Sequence, residues 1–369
     1  MKKIILRWNQ PSFSDAELKA VIKTFKSGWL TMGSKVKVFE KKMSKYVNST
    51  YGIGVTNGTV ALDMALKCLN IKNQDEVILP ALSYISTSTA ITYQGATPVF
   101  VDIKKNNCNI NPTEIERAIT NKTKAIVFID YGGNPADVKE IKDISRKHKI
   151  PVVHDAAQSL GLKYKNYHIG DIGDITTMSF HMAKILTTIE GGMIFTNNRN
   201  YEKKLRILRN IGENKKYHHE YLGTNARMTE LNAAIGLVQF TKLNTMLNKR
   251  LKIVKRYIEN LKHQQKIFLP FIPRPFTKCS YFFFPILIKK RDEVAKKLLK
   301  IGIDTRIAYP MPIYKQRLYK MKKYNFKKFI CKEAEKFCKS VINLPIFADM
   351  KISEVDRVSE SLVKILKDI

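Results

Sequence analysis

The chain has 369 residues, 44% of them hydrophobic, with 65 Lys and Arg against 32 Asp and Glu for a formal charge of +33. That is apolar material enough for one large or two smaller cores, and no apolar run reaches membrane-spanning length, so a helical membrane protein is excluded. Five cysteines (Cys68, Cys108, Cys279, Cys331 and Cys338) form an odd set without a Cys-x-x-Cys pair, which argues against disulfides and zinc and for reduced thiols in the cytoplasm. The lysines are spread along the chain and no helix-turn-helix, zinc-finger or RNA-binding aromatic motif is visible. The charge therefore reads as a solvated basic surface rather than a nucleic-acid site. Met1 to Leu6 is too short an apolar stretch for a signal peptide.

In chain order, an extended arm leads into a helix opened by Phe13-Ser14-Asp15, where Ser14 or Asp15 can cap it. Leu18, Val21, Ile22 and Phe25 recur at helical spacing there. Ser27-Gly28-Trp29-Leu30-Thr31 breaks that helix, and a second runs near Val36 to Tyr46. Tyr51 to Val55 reads as a strand, and Asn57-Gly58-Thr59 turns into a helix from Val60 to Leu69. A glycine turn opening a helix offers N–H groups and a positive dipole end to an anion. Strands follow at Glu76–Pro80, Pro98–Asp102, Ala125–Ile129 and Pro151–His154, with helices at Ser86–Tyr93, Pro112–Ile119 and Asp137–His148 between them. This alternation predicts a mostly parallel sheet with crossover helices. Further strands are expected at Ile175–Phe180 and Met193–Thr196, and a basic helix at Glu202–Arg209. Asn210–Leu222 reads as a loop. A long helical stretch then covers Met228 to Leu261, with a break expected near Leu243 to Asn248. Beyond it come a strand at Cys279–Ile288, a helix at Arg291–Ile301, a strand near Asp304–Ile307, a Pro-rich loop at Tyr309–Tyr314 and a last helix at Ile352–Leu366. The expected division is a large domain over 1–245 and a smaller C-terminal α+β domain over 246–369.

Two stretches carry chemistry. Lys184 lies in the middle of the loop between two strands, braced by Gly191-Gly192. Asp155 stands at the carboxyl end of a buried strand, where α/β proteins place ligand chemistry. A lysine that can condense with an aldehyde, together with a carboxylate that can keep a pyridine nitrogen protonated, suits pyridoxal phosphate.

The motifs Ser-Gly-Trp-Leu-Thr (27–31), Thr-Asn-Gly-Thr-Val-Ala-Leu (56–62), Gly-Ala-Thr-Pro-Val-Phe-Val-Asp (95–102), Asp-Ala-Ala-Gln (155–158), the Lys184 loop and Leu-Gly-Thr-Asn-Ala-Arg-Met (222–228) follow one another in a known order. In this the sequence resembles the DegT/DnrJ/EryC1/StrS nucleotide-sugar aminotransferases, which have the α/β type I fold of pyridoxal-phosphate-dependent transferases. The resemblance covers nearly the whole chain. It implies that Lys184 is the catalytic lysine and that Asp155 pairs with the pyridine nitrogen. Gln158 lies near the phenolic oxygen, Tyr84 stacks on the ring, and Gly58, Thr59 and Ser179 hold the phosphate. Asn225 reaches the phosphate site of a second subunit, so the active site is shared in a homodimer. Trp29, Thr31, His181, Arg227, Tyr309 and Tyr314 fall on the substrate side. The chain departs from the family's usual residues at Ile185, Ile189, Thr224, Ala226 and Tyr314. The implied reaction moves an amino group from L-glutamate to a nucleotide-linked 4-keto-6-deoxy sugar. Asp130 to Asp137 and Thr187-Thr188 favour the C4 branch over the C3 branch. Relatives that dehydrate sugars carry histidine at the lysine position, and Lys184 speaks against that chemistry.

Overall fold

Short apolar strands alternate with amphipathic helices along the first 200 residues, and the computed structural model assembles them into one eight-stranded sheet. It describes residues 6–271, 275–321 and 324–368. Across the sheet the strands run Tyr51–Val55, Gly192–Thr196, Ile175–Ser179, Val152–Asp155, Thr123–Ile129, Glu76–Pro80, Thr97–Val101 and Lys327–Lys328. Gly192–Thr196 is antiparallel to both neighbours, and the remaining pairs are parallel. Helices cover both faces. Ile78, Ile126, Phe128 and Val152 pack with Val138, Ile141 and Ile144 on one side, while Leu79, Val127 and Val153 cluster with Met64 and Ala65 on the other. Strands buried on two faces must read as continuous apolar runs, and these do. Each large side chain removed from water there contributes about 1.5–3 kcal/mol.

The parallel strands end on one edge. Thr56 to Thr59, Ala81 to Tyr84, Asp155 to Gln158 and Ser179 to Lys184 all follow such ends, so the topology gathers the expected site residues.

Four local expectations change. The long helix, Glu230–Leu261, is unbroken. No Gly or Pro lies between 243 and 248, and Leu243, Met246, Leu247 and Arg250 bury one continuous face. Within the expected strand Cys279–Ile288, only Phe284–Leu287 pairs as a strand, with Val341–Leu344, while Thr277–Lys278 pairs with Lys163–Tyr164 just upstream. The Ser280 and Phe283 amides donate to Gly133 and Gly132 carbonyls instead. The strand near Asp304 shrinks to one bridge between Arg306 and Asn343. Loop 210–222 contains a short hairpin, Glu213–Lys215 with His218–His219.

The first helix, Asp15–Lys26, is turned inside out. Its buried residues are Glu17 and Thr24, whereas Leu18, Ile22 and Phe25 are exposed. Glu17 is drawn inward by polar partners. It accepts from Gln239 Nε2 at 2.7 Å, pairs with Lys242 and holds the Ser14 amide. Among the described residues, no helix is long and apolar enough to cross a membrane.

Candidate active site

The floor of the site is Asp155. It ends the strand Val152–Asp155 and is buried. Its Oδ2 accepts from the Thr87 hydroxyl at 3.1 Å, and its Oδ1 from the Ala157 amide at 3.1 Å. Ser83 Oγ lies 2.7 Å behind Thr87 Oγ1, which extends the chain. Burial raises the Asp155 pKa, and the Ala157 bond, the charge of Lys184 and the Thr87 bond oppose that rise. Beside it in the sheet register lies Thr177, buried, whose hydroxyl has no partner among the described residues.

Gln158 follows one turn later. Its Oε1 accepts from the Gly132 amide at 2.6 Å and its Nε2 donates to the Tyr309 hydroxyl at 3.1 Å. The amide is thus fixed from two sides, and Tyr309 is brought to the floor. Burial pushes the Tyr309 phenol well up, and the Asp155 carboxylate adds to the push. The Tyr84 ring lies 6.1 Å from the Tyr309 ring and is itself exposed.

Lys184 enters from its loop. Leu186, Thr187 and Thr188 are buried and anchor the loop, with Thr188 donating through its amide to Phe180 O at 2.9 Å. Asn9 Nδ2 donates to Ala183 O at 2.8 Å and ties the N-terminal arm to it. At the loop's end a Cβ on Gly192 would lie 2.5 Å from the Asn57 carbonyl, so only glycine lets this backbone touch the turn before helix Gly58–Cys68. Ile189 has a left-handed backbone, φ 72°, a conformation costly for a β-branched residue. That is the position where the resemblance expects glycine. The Lys184 side chain is half-buried, and its Nζ lies 4.4 Å from the centre of the Phe282 ring. Burial lowers its pKa to about 8, although the Asp155 carboxylate pulls the other way. A fraction of the amine is therefore neutral near pH 7, as a proton-moving lysine requires.

The helix Gly58–Cys68 is capped by Asn57, whose Oδ1 accepts from the Val60 amide at 2.9 Å. A Cβ on Gly58 would lie 2.8 Å from Ser179 Cβ, so the first turn and Ser179 are in direct contact. The Thr59 hydroxyl lies 2.7 Å from Ser86 Oγ. Backbone amides, a dipole end and a serine hydroxyl meet here, which is the chemistry of a phosphate cradle.

The remaining expected residues are spread more widely. His181 is exposed, 3.7 Å from Glu190. Trp29 and Thr31 are exposed, and Trp29 Nε1 donates to Met32 O at 3.3 Å. Asn225 is exposed on a bridge to Asn210, and Arg227 donates to Asn210 Oδ1 at 2.5 Å. Tyr314 is engaged elsewhere: it is buried against Phe100, and its hydroxyl donates to Glu335 at 2.7 Å. The 3-10 turn Ile313–Lys315, pinned by the Ile313 amide to Ala81 O, carries it there. Thr87 and Phe282 were missed by the sequence reading. Thr87 sits in a run of serines and threonines, and Phe282 in an aromatic run that reads as core, so neither carries a distinct signal.

A lysine of lowered basicity, a buried carboxylate with one flank open to an orphaned threonine hydroxyl, and a phosphate cradle fit pyridoxal phosphate. Residues 11–363 match the DegT/DnrJ/EryC1/StrS aminotransferase family. The chain belongs to that family. It is a pyridoxal-phosphate-dependent nucleotide-sugar aminotransferase. Among its relatives is the dTDP-3-amino-3,6-dideoxy-alpha-D-galactopyranose transaminase of Aneurinibacillus thermoaerophilus, 34% identical over 93% of each chain. The GDP-perosamine synthase of Escherichia coli O157:H7 is 33% identical over 97% of this chain and 98% of its own. Among solved structures, S. venezuelae DesV in complex with a ketimine intermediate superposes with a TM-score of 0.91 at 30% identity, covering 96% of this chain and 95% of that one.

Proposed function

We propose that this aminotransferase takes its amino group from L-glutamate and delivers it to C4 of a nucleotide-linked 4-keto-6-deoxy sugar in a ping-pong cycle. The observation that carries the reading is Lys184, its pKa lowered to about 8, near enough to the buried Asp155 for each charge to bear on the other. Pyridoxal phosphate bound there supplies an aldehyde to carry the amino group and a ring to take up electrons. Lys184 Nζ, as the neutral amine, takes the proton from the donor's α-carbon and holds it for return. With the sugar the same atom works in the opposite direction. Asp155 would hold a proton at the ring nitrogen, Gln158 would meet the ring's oxygen side, and Tyr84 would pack against the ring. Gly58, Thr59 and Ser179 would bind the phosphate. Tyr309, held by Gln158, and His181 and Trp29 at the rim face the sugar. Residues 1–245 form the cofactor-binding domain and 246–369 the smaller one. Five free cysteines support a reducing, cytoplasmic setting.

C4 is supported by the Asp130–Asp137 segment, the Thr187-Thr188 pair and the perosamine synthase relative. The 3-amino relative keeps C3 as the competing outcome. The test is to load the protein with pyridoxal phosphate, add L-glutamate and follow the absorbance, then supply nucleotide keto sugars and locate the new amino carbon by NMR. Amination at C3 overturns the regiochemistry, and an absorbance that glutamate leaves unchanged overturns the donor.

The active form we propose is a homodimer with Asn225 completing the partner's phosphate site. The exposed Leu18, Ile22, Phe25 and Trp29 on one flank support a covered surface there, since apolar groups in such number are seldom left to water. Asn225→Ala is expected to weaken cofactor binding about tenfold, and an unchanged affinity rejects the shared site.

A further inference from the structure

Behind Asp155, on the opposite face of the sheet, lies a group of buried polar side chains that the reaction itself does not use. Successive strand residues point to opposite faces, so His154 turns away from the cofactor side. Its ring stacks on Phe128, its register neighbour, with centres 4.9 Å apart. Its Nε2 lies 2.6 Å from Asp130 Oδ2. Ser159 Oγ donates to the same oxygen at 2.7 Å, and the Ala136 amide donates to Asp130 Oδ1 at 2.9 Å. Asp130, His154 and Ser159 are all fully buried.

The placement along the chain gives this cluster a purpose. His154 and Ser159 bracket the four residues Asp155, Ala156, Ala157 and Gln158, and one oxygen of Asp130 holds both brackets. Asp130 itself follows the strand Thr123–Ile129 and precedes Gly132, whose amide fixes the Gln158 carbonyl oxygen. The Gly133 amide returns to Asp130 O at 2.9 Å, so the whole turn is tied to one residue. The Ser159 hydroxyl and the Ala136 amide each donate to this carboxyl, and His154 Nε2 shares a third hydrogen bond with it. Nδ1 of His154 has no partner among the described residues, so the ring's one specific polar contact points at Asp130. Buried hydrogen bonds of this kind are lost at full desolvation cost.

We infer that Asp130, with His154 and Ser159, is a clamp that positions Asp155 and Gln158 against the pyridine ring from the far face of the sheet. The inference rests on the cofactor roles proposed for Asp155 and Gln158. Asp130, His154 and Ser159 are positioning residues and touch neither cofactor nor substrate. The clamp explains why polar groups are kept in a layer otherwise built of Ile126, Phe128 and Val152, where apolar residues would pack as well.

The test uses the full chain and four variants: Asp130→Asn, His154→Phe, His154→Gln and Ser159→Ala. Three quantities are read for each. They are the dissociation constant for pyridoxal phosphate by titration, the maximal rate and half-saturating concentration of the glutamate half-reaction, and the thermal midpoint of the cofactor-free protein. Displacing a reacting group by about 1 Å costs about a hundredfold in rate. Asp130→Asn and His154→Phe are accordingly expected to weaken pyridoxal phosphate about tenfold and to slow the maximal rate about a hundredfold, with the half-saturating glutamate concentration changed less than about threefold. His154→Gln keeps an N–H for Asp130 and is expected to recover most of the rate. Ser159→Ala, losing one of two brackets, is expected to fall between. Wild-type affinity and rate in a folded Asp130→Asn overturn the clamp. So do equal losses in His154→Gln and His154→Phe that track the thermal midpoint, because that pattern is structural only. If Asp130→Asn does not fold, the two His154 variants and Ser159→Ala decide alone. Wild-type protein that takes up no cofactor, or ignores glutamate, overturns the site reading and the clamp together. A responsive wild type with indifferent variants overturns the clamp only.

Discussion

The floor and the mouth of the site are built on opposite plans. Asp155 and Gln158 on the floor are buried, as are Asp130 and Ser159 behind them on the far face of the sheet, and each polar side chain has a partner 2.6–3.1 Å away supplied by the same chain. At the mouth, Trp29, Tyr84 and His181 are exposed. A single chain therefore builds a buried, internally bonded floor, while the residues proposed to face the sugar stand at its surface. The difference teaches that chemistry and specificity are separable here. Substitutions on the floor should abolish or slow every half-reaction, whatever the sugar, while substitutions at the mouth should change which sugar is accepted.

The largest effect expected on the floor is that of Lys184→Ala. It removes the group proposed to move the proton, and maximal activity should fall at least about a thousandfold. The fold should survive, because Leu186, Thr187 and Thr188 anchor the loop without it. Circular dichroism and turnover measured together separate the two. Residual activity near that of the unaltered protein would break the comparison at its centre.

The next effect is one of pH. A free lysine titrates near about 10.4, and burial lowers Lys184 to about 8. The unfolded chain then holds this proton more tightly than the folded one. The ammonium accordingly opposes folding below about pH 8, and stability gained from this group rises with pH from about 8 to about 10.4. For capture of pyridoxal phosphate the neutral amine is required. Its share rises from about one-tenth to about nine-tenths between about pH 7 and pH 9 when the pKa is about 8. The capture rate of cofactor-free protein should climb about tenfold across that interval. Asp155→Asn should move the midpoint down, since the carboxylate holds it up. A midpoint near that of a free lysine would place Lys184 with the solvated surface.

Much of the floor was legible in the sequence because its members are close neighbours in the chain. Asp155 and Gln158 share one short motif at a strand end, and Ser179 ends the strand that leads into the Lys184 loop. The alternation of strands and helices located the edge where they gather. The clamp was not legible. It joins residues 130, 154 and 159 from two strands through side-chain geometry, and a histidine in an apolar strand carries no sign of its partner. The orientation of helix Asp15–Lys26 was hidden for a related reason: Gln239 and Lys242, far along the chain, decide which face of the helix is buried. Tyr314 illustrates the converse, a residue aligned with a substrate loop whose hydroxyl is committed to Glu335.

The smallest effect concerns the contact between the phosphate cradle and the lysine strand. Alanine at position 58 is a better helix former than glycine by about 0.5–1 kcal/mol, so an open site would be stabilised. Here its Cβ would lie 2.8 Å from Ser179 Cβ and 3.4 Å from the backbone Cα behind it. Overpacking of this kind costs about 1–3 kcal/mol. The balance predicts net destabilisation of about 1 kcal/mol for Gly58→Ala, read as a lower thermal midpoint, together with a several-fold loss of pyridoxal phosphate affinity. Ser179→Gly removes the atom that the new methyl strikes. In the double variant the stability penalty should shrink while the affinity loss deepens, because the space is restored but a hydroxyl of the cradle is gone. Contact between neighbours predicts that non-additive pattern, and simple addition of the two single effects would mean that the helix turn and Ser179 do not form one cradle.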